Sequence, residues 1–195
     1  MEPLFVSENF RWYEASNEFV DIRDKSRYPD TEFEVKVKVY EDRVTNWFLG
    51  LAKPMVKYQS PHDYVALSIA LSYIEGVEQF REGKSTPRVK SGAWFTKSAK
   101  RIFPTAAEDA IKRLWEEARC GLFHCGFTDG KTYVSHNHSE ALEIVGDHLN
   151  INPQKFVEAT ILDFEKYIIH LFKSKNGDDI RHNFITHWDD RWENS

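Results

Sequence analysis

The feature that most constrains the fold is a run of eleven residues without charge, 64–74, between Asp63 and Glu75. Its apolar residues fall on nearly every side of a helix, and residues 60–63 supply an N-cap and a first turn before it. A helix that is apolar almost all round must be surrounded by other elements. The run is also well short of the ~20 residues that a membrane-spanning helix requires. The sequence therefore predicts a central helix in a bundle.

Other helices are predicted on both sides of this one. Apolar residues at steps of three and four predict a helix over 30–57 that bends or ends near Pro54. The spacing of Thr105 and Glu108 is typical of a capping box at the start of a third helix, which Gly121 would end.

The C-terminal part of the chain shows two more helical patterns. Asn152 followed by Pro153 is a strong helix start, an N-cap with proline at the first helical position. Residues 178–195 carry apolar and aromatic side chains four positions apart, which predicts a short amphipathic helix that packs on the body or on a second subunit. Residues 1–30 are polar and aromatic without a clean period and are interpreted as an N-terminal arm, extended or partly helical. Residues 83–92 contain glycine and proline and are predicted as a loop.

Strand signals are few. The sequence Thr-Asp-Gly-Lys at 128–131 is typical of a hairpin turn, the residues after it favour a strand, and a second short strand is predicted near 141–145. We therefore predict an all-α dominated fold, a helical bundle with a small β-hairpin near 126–135. The chain is expected to be a single domain, 1–195, with the bundle over 31–175.

Charge and composition exclude several classes of protein. The net charge is −5 and the isoelectric point is near 5.9, so the chain lacks the basic surface that broad, sequence-independent duplex binding needs, although a local cationic pocket stays compatible with these values. Two cysteines are too few for a disulfide framework, and the first residues lack the cationic and apolar regions of a secretory signal. We expect a cytoplasmic protein with no membrane partner.

Arginine and histidine occur five or six residues apart at two places, Arg119–His124 and Arg181–His187. An imidazole exchanges protons near neutral pH, so it can take a proton from a ribose 2′-hydroxyl or give one to a leaving oxygen. A guanidinium donates hydrogen bonds to the phosphate oxygens on which charge accumulates. This chemistry suits RNA cleavage, but about 1.4 such spacings are expected by chance. The spacing alone therefore identifies no site.

The context of the first pair is more specific. Residues 118–127 read Ala-Arg-Cys-Gly-Leu-Phe-His-Cys-Gly-Phe. This segment resembles the signature of the HEPN superfamily, in the branch whose motif is Arg-x-Gly-Leu-Phe-His-x-Gly. Residues 44–49 (Val-x-x-Trp-Phe-Leu) and 71–75 (Leu-Ser-Tyr-x-Glu) are also similar to helices that precede this motif. The resemblance covers residues 35–175 and is strongest over 118–127.

The resemblance implies a function and a set of site residues. HEPN proteins are small helical bundles, commonly two-fold dimers, and many are metal-independent endoribonucleases that act as toxins or in antiviral and stress defence. Arg119 and His124 are then the catalytic residues at a homodimer cleft, RNA is the substrate, no cofactor is needed, and an antitoxin or other regulatory protein is a further partner. Many catalytic members have a polar residue after the arginine, where this chain has Cys120. Glu75 is a hypothetical partner that orients Arg119; the alternative is an exposed glutamate at the rim of its helix.

Helix geometry adds a constraint. Five residues along an unbroken helix rotate the side-chain direction by about 500°, so Arg119 and His124 would point roughly 140° apart. Either the helix breaks at Gly121, or a two-fold axis brings together pairs from two subunits. The alternative to a catalytic role is a structural one, in which Arg119 stacks on Trp115 and His124 is a hydrogen-bonded histidine at a helix end. The second pair, residues 181 and 187, is expected to serve at the surface or in docking.

Two alternatives remain open at the level of sequence. The first is a non-catalytic HEPN module that binds a nucleotide or a protein partner through the same cleft. The second is a scaffold stabilised by zinc, for which Cys120, Cys125, His136 and His138 are the candidate ligands. We expect no metal at the catalytic pair.

Overall fold

The computed structural model describes residues 2–85 and 91–193. The helices are α1 (Phe33–Val44), α2 (Gly50–Met55), α3 (His62–Glu82), α4 (Ser91–Ile102), α5 (Glu108–Arg113), α6 (Cys120–Cys125), α7 (Pro153–Lys173) and α8 (Asp179–Glu193). The strands are β1 (Leu4–Phe5), β2 (Phe10–Tyr13), β3 (Glu18–Asp21), β4 (Arg27–Pro29), β5 (Thr132–Val134), β6 (Leu142–Val145) and β7 (His148–Ile151).

The prediction of an all-α dominated bundle with a small β-hairpin near 126–135 is wrong. The described residues form a mixed α/β fold in which the helices pack with two sheets. One sheet is an antiparallel meander in the order β1-β2-β3-β4, and the other is mixed, in the order β5-β7-β6.

The second sheet shows why the hairpin prediction failed. The turn signal at 128–131 follows a helix, so β5 has no preceding strand to pair with; it pairs in parallel with β7 instead, Thr132 opposite Leu149. The hairpin joins β6 to β7 through a two-residue loop of Gly146 and Asp147, in which Gly146 has a φ of 59°. A left-handed glycine in such a loop fits the twist of the two strands.

Residues 1–30, interpreted as an arm, contain the antiparallel meander. Phe10 and Phe19 of this sheet are fully buried. Phe19 packs edge-on against Trp188 and Trp192 of α8, with ring centroids 6.4 and 5.4 Å apart. The aromatic face of the last helix is therefore covered by the first sheet. Burial along β2 and β3 does not alternate from one residue to the next, which explains the weak strand pattern in the sequence.

α3 occupies the centre of the helical part, as the uncharged run predicts. It contacts α2, α4, α7 and α8, and Leu67, Leu71 and Ile74 are at most 1% exposed. Within the described ranges, no helix has the length and apolar character needed to cross a lipid bilayer.

Two other helix predictions are confirmed with small changes. The helix predicted over 30–57 is α1 and α2 joined by a π-helical segment, Thr45–Leu49, and it ends at Met55, one residue after Pro54. Asn152 caps α7 by accepting a hydrogen bond from the backbone N–H of Lys155. Residues 86–90 of the loop predicted over 83–92 lie outside the described residues.

The boundaries predicted for the third helix are wrong. Ala107, with extended backbone, is the N-cap of α5, so Thr105 lies too far upstream to cap it. At the other end, Gly121 lies inside α6, and the helix continues to Cys125. Gly126 ends it with a φ of 76°, a left-handed conformation that glycine adopts without strain.

Candidate functional site

The motif lies on one continuous helical segment, 108–125. α5 passes into α6 through a π-helical segment, Leu114–Arg119. Such wider turns inside α-helices occur frequently at functional sites. Leu114 and Ala118 of this segment are completely buried. They fix the inner side of the helix, so Arg119 is held at the point where the π-helical geometry returns to α-helix.

The helix does not break between the two motif residues. From Arg119 to His124 the backbone follows α6, whose N-cap Arg119 is itself helical, with φ −64° and ψ −52°. The divergence of roughly 140° between the two side chains is therefore kept. The sequence allowed either a helix break at Gly121 or a two-fold axis between subunits, and the unbroken helix excludes the first.

Gly121 has a different role, because the chain returns across it. A Cβ built on Gly121 would lie 2.6 Å from the carbonyl oxygen of Phe127 and 3.3 Å from Cα of Thr128. The returning segment is tied to the helix by a hydrogen bond from the N–H of Asp129 to the carbonyl of Glu117. The close approach holds the loop after Gly126 against the side of the motif helix.

Arg119 is fixed by a carboxylate and two aromatic rings. Its Nη2 donates to Oε2 of Glu75 at 3.1 Å. The guanidinium carbon lies 4.7 Å from the ring centroid of Trp115 and 5.0 Å from that of Phe123. The side chains of Arg119 and Glu75 are 23% and 17% exposed, so the pair is reachable from solvent. Among the described residues, Glu75 is the one group that accepts a hydrogen bond from this guanidinium. The other N–H groups of Arg119 are therefore available to a ligand.

The structure thus combines the two sequence-level interpretations of Arg119. The stacking on Trp115 and the ion pair with Glu75 are both present. The ion pair connects the motif helix to the central helix α3, on which Glu75 lies. This contact orients the guanidinium and does not use all of its hydrogen-bonding capacity.

Sequence reasoning missed a set of buried charges next to this contact. Glu78, one turn after Glu75 on α3, is 1% exposed and accepts a hydrogen bond from Arg101 of α4 at 2.6 Å. Arg101 also donates to Asp163 of α7 at 3.0 Å, and Tyr73 donates to the same carboxylate at 3.2 Å. The set holds three helices in fixed register and so fixes the position of Glu75. An acidic residue among the apolar positions of α7 is the signal that could have revealed it.

His124 lies in the last turn of α6 and is exposed. Within the described part of the chain it makes no hydrogen bond or ion pair. Cys120 precedes it by four residues, so the thiol and the imidazole lie on the same side of the helix, with the thiol partly exposed. The imidazole can therefore meet a substrate without first breaking an internal contact.

The zinc ligand set proposed from sequence is not assembled. His136 Nε2 lies 3.1 Å from Asp63, and His138 Nδ1 lies 3.0 Å from Glu143. Cys120 and Cys125 are free cysteines. Over residues 2–85 and 91–193, no group of three or more His, Cys, Asp or Glu side chains is arranged to hold a metal ion.

The second arginine–histidine pair has a structural setting. Arg181 lies over the ring of Phe33 at 3.8 Å and forms an ion pair with Glu34 at 3.4 Å. His187 is 1% exposed and packs edge-on against Phe80. Burial lowers the pKa of His187 to about 4, so it is neutral at physiological pH. These residues dock α8 on the body.

A cleft of about 540 Å³ lies between the N-terminal sheet and α1, away from the motif. The charged residues that line it are Asp21, Arg23, Asp24, Lys38, Glu41 and Asp42. Carboxylates outnumber cations in this lining, which disfavours a phosphate ligand. Burial and the neighbouring Asp42 raise the pKa of Glu41, and Arg23 already pairs with Asp21. The acidic lining of this cleft is therefore a poor match for a phosphate, and the cleft lies apart from Arg119.

Comparison of the chain with family models, curated proteins and solved structures gave no match. The HEPN resemblance therefore depends on the motif over 118–127 and the two segments before it. Any functional conclusion has to come from the geometry of the site itself.

Proposed function

We propose that the protein is an endoribonuclease of HEPN type that cleaves RNA without a metal ion at a cleft between two subunits. The observation that supports this most directly is the setting of Arg119. One of its donors is fixed by Glu75, while the remaining donors face no acceptor among the described residues. A guanidinium fixed in this way is preorganised to bind a phosphate bidentately.

His124 supplies the proton transfers. As general base, an imidazole removes the proton of a ribose 2′-hydroxyl, and the resulting oxygen attacks the adjacent phosphorus. The bond from phosphorus to the 5′-oxygen of the next nucleotide then breaks, and a protonated imidazole gives that oxygen a proton. The products are a 2′,3′-cyclic phosphate and a 5′-hydroxyl. Arg119 binds the non-bridging oxygens, on which negative charge grows in the transition state.

Two subunits are needed because one helix cannot direct both groups to one phosphate. Arg119 and His124 point roughly 140° apart on an unbroken helix. A two-fold axis beside α6 places His124 of the partner subunit near Arg119 of the first. The same symmetry brings two imidazoles to one cleft, one to act as base and the other as acid.

The test compares purified wild-type protein with His124→Ala on a panel of end-labelled RNAs that includes unstructured and hairpin substrates. We expect His124→Ala to reduce the cleavage rate by roughly 100-fold or more, the usual contribution of a general acid–base group. The melting temperature should hardly change, because His124 is exposed and makes no hydrogen bond in the described part of the chain. His170→Ala is the matched control, since His170 is an exposed histidine near the end of α7.

Equal cleavage by the wild type and His124→Ala would exclude the proposed catalytic role. No cleavage by the wild type across the panel would also overturn the proposal. A loss of activity in His170→Ala as large as that in His124→Ala would show that the effect is not specific to the motif.

One observation favours a second candidate function, a non-catalytic module that binds a nucleotide or a protein partner through the same cleft. Cys120 directly follows Arg119, at the position where many catalytic HEPN proteins have a polar residue. Its thiol is partly exposed and lies on the side of the helix that carries His124. Binding of RNA or mononucleotide by a wild-type protein that does not cleave would support this candidate.

A further inference from the structure

The rings around Arg119 form a column on one side of the motif helix. Trp115, Arg119 and Phe123 are spaced by four residues, so their side chains lie one above another. The guanidinium lies between the two rings, 4.7 Å from the centroid of Trp115 and 5.0 Å from that of Phe123. At the inner end, Trp115 packs against Phe95, with centroids 5.2 Å apart. At the outer end, Phe123 is 46% exposed.

This column differs from an ordinary surface phenylalanine. Single exposed apolar side chains are common in proteins. Here, however, the exposed ring borders a guanidinium that has donors to spare, so an aromatic surface and an anion-binding group are adjacent. A nucleotide presents the same two chemistries, a flat base and a phosphate. Aromatic side chains beside cationic ones are the means by which proteins bind unpaired bases.

We infer that Phe123 is a stacking surface for an unpaired base next to the phosphate that Arg119 binds, and that the substrate is therefore single-stranded RNA. This inference rests on the proposed function, because it requires Arg119 to hold phosphate. In a duplex, the bases stack on each other and are not free to cover a protein ring. Phe123 therefore selects for unpaired nucleotides.

The experiment measures binding separately from cleavage. In a His124→Ala background, the dissociation constants of a fluorescein-labelled unstructured 10-nucleotide RNA and of its duplex are measured by anisotropy. We expect Phe123→Ala to weaken single-strand binding roughly 5- to 150-fold, the range for loss of one stacked base. Duplex affinity should not change. Phe123→Trp should restore single-strand binding, and Phe123→Leu, which is apolar but not aromatic, should not.

Phe172→Ala is the matched control, because Phe172 on α7 is 42% exposed, close to the exposure of Phe123. Equal single-strand affinities of the Phe123 and Phe172 variants would overturn the inference, as would equal losses for single strand and duplex or no measurable binding of the single strand. Sedimentation of each variant tests whether Phe123 is instead a contact between subunits. If Phe123→Ala dissociates a dimer, the ring is a subunit contact, and the stacking role is wrong.

Failure of this inference can be distinguished from failure of the proposed function. If the wild type does not cleave but binding still depends on an aromatic ring at Phe123, the endoribonuclease proposal fails and the stacking surface remains. If the wild type cleaves and Phe123→Ala binds normally, only the stacking inference fails.

Discussion

Gly121 offers a test of how the motif helix is held, because its substitution by alanine puts an atom where the chain already returns. The added Cβ would lie 2.6 Å from the carbonyl oxygen of Phe127. Ordinary van der Waals contact begins near 3.4 Å, so the backbone of the loop must move by several tenths of an ångström. The added Cβ is bonded to the main chain and the oxygen of Phe127 is part of it, so no movement of a flexible side chain can relieve the contact.

Gly76 of α3 is the matched position, a helix-interior glycine whose added Cβ meets nothing within 4 Å. Both substitutions gain about 1 kcal/mol of helix propensity. The difference between them therefore isolates the steric contribution at Gly121, which we place at about 1–3 kcal/mol, the usual range for overpacking. For a chain of this length, 1 kcal/mol corresponds to about 2–4 °C in Tm. Gly121→Ala should melt roughly 2–12 °C below Gly76→Ala.

Thermal unfolding of the two variants, followed by circular dichroism at one protein concentration, gives this difference directly. Gly76→Ala should be as stable as the wild type or more stable. Equal melting temperatures for Gly121→Ala and Gly76→Ala would refute the close approach of the loop. The anchoring of the motif helix by residues 127–129 would then be wrong.

Two further predictions concern buried polar groups. Because burial lowers the pKa of His187 to about 4, from an ordinary value of 6.5, the unfolded chain binds more protons than the folded one between these values. Stability should therefore fall as pH decreases from 6.5 to 4, by at most about 3 kcal/mol from this residue. Urea unfolding at several pH values should show that the free energy of unfolding of His187→Gln changes less with pH than that of the wild type. An equal pH dependence would contradict the assignment. Asn152→Ala removes the cap on Lys155 and two hydrogen bonds to the carbonyls of His136 and His138. We expect a loss of about 2–3 kcal/mol in the free energy of unfolding, and urea titration giving less than about 0.5 kcal/mol would disprove it.

The site depends on the central helix more than the motif itself indicates. Glu75 and Glu78 are one turn apart on α3, where the first binds Arg119 and the second binds Arg101. Acidic side chains on the packed sides of this helix would be poorly solvated and unpaired without these cations. The ion pairs therefore set the distance between the motif helix, α3 and α4, and they make the orientation of Arg119 a property of the whole fold.

Several parts of the structure were predictable because local chemistry decides them. The uncharged run 64–74 has to be surrounded by other elements, whatever those elements are. Asn152 and Pro153 begin a helix because one supplies a hydrogen-bond acceptor and the other has no N–H that needs one. Arg119 and His124 could be proposed as site residues because side-chain types and neighbours along the chain are visible in the sequence; their catalytic role stays a prediction.

Other parts were not predictable, because they depend on segments far apart in the chain. β5 pairs with β7, about seventeen residues later, so the turn signal at 128–131 gave a hairpin that does not form. The sheet in residues 1–30 is stabilised by rings from α8, which no local pattern of those thirty residues contains. α4 is a different case, because its buried residues Phe95, Ser98, Ala99 and Ile102 stand three and four positions apart, a local helical pattern that the sequence analysis overlooked.

From the sequence alone, the helices α3 and α7 could be predicted and Arg119 and His124 could be proposed as site residues, because backbone preference and side-chain type are local properties. The tertiary structure decided where those two side chains point. An unbroken helix turns Arg119 and His124 apart, while Glu75, Trp115 and Phe123 hold the guanidinium toward solvent with donors to spare. Direction depends on packing between distant segments, and only the folded chain brings those segments together.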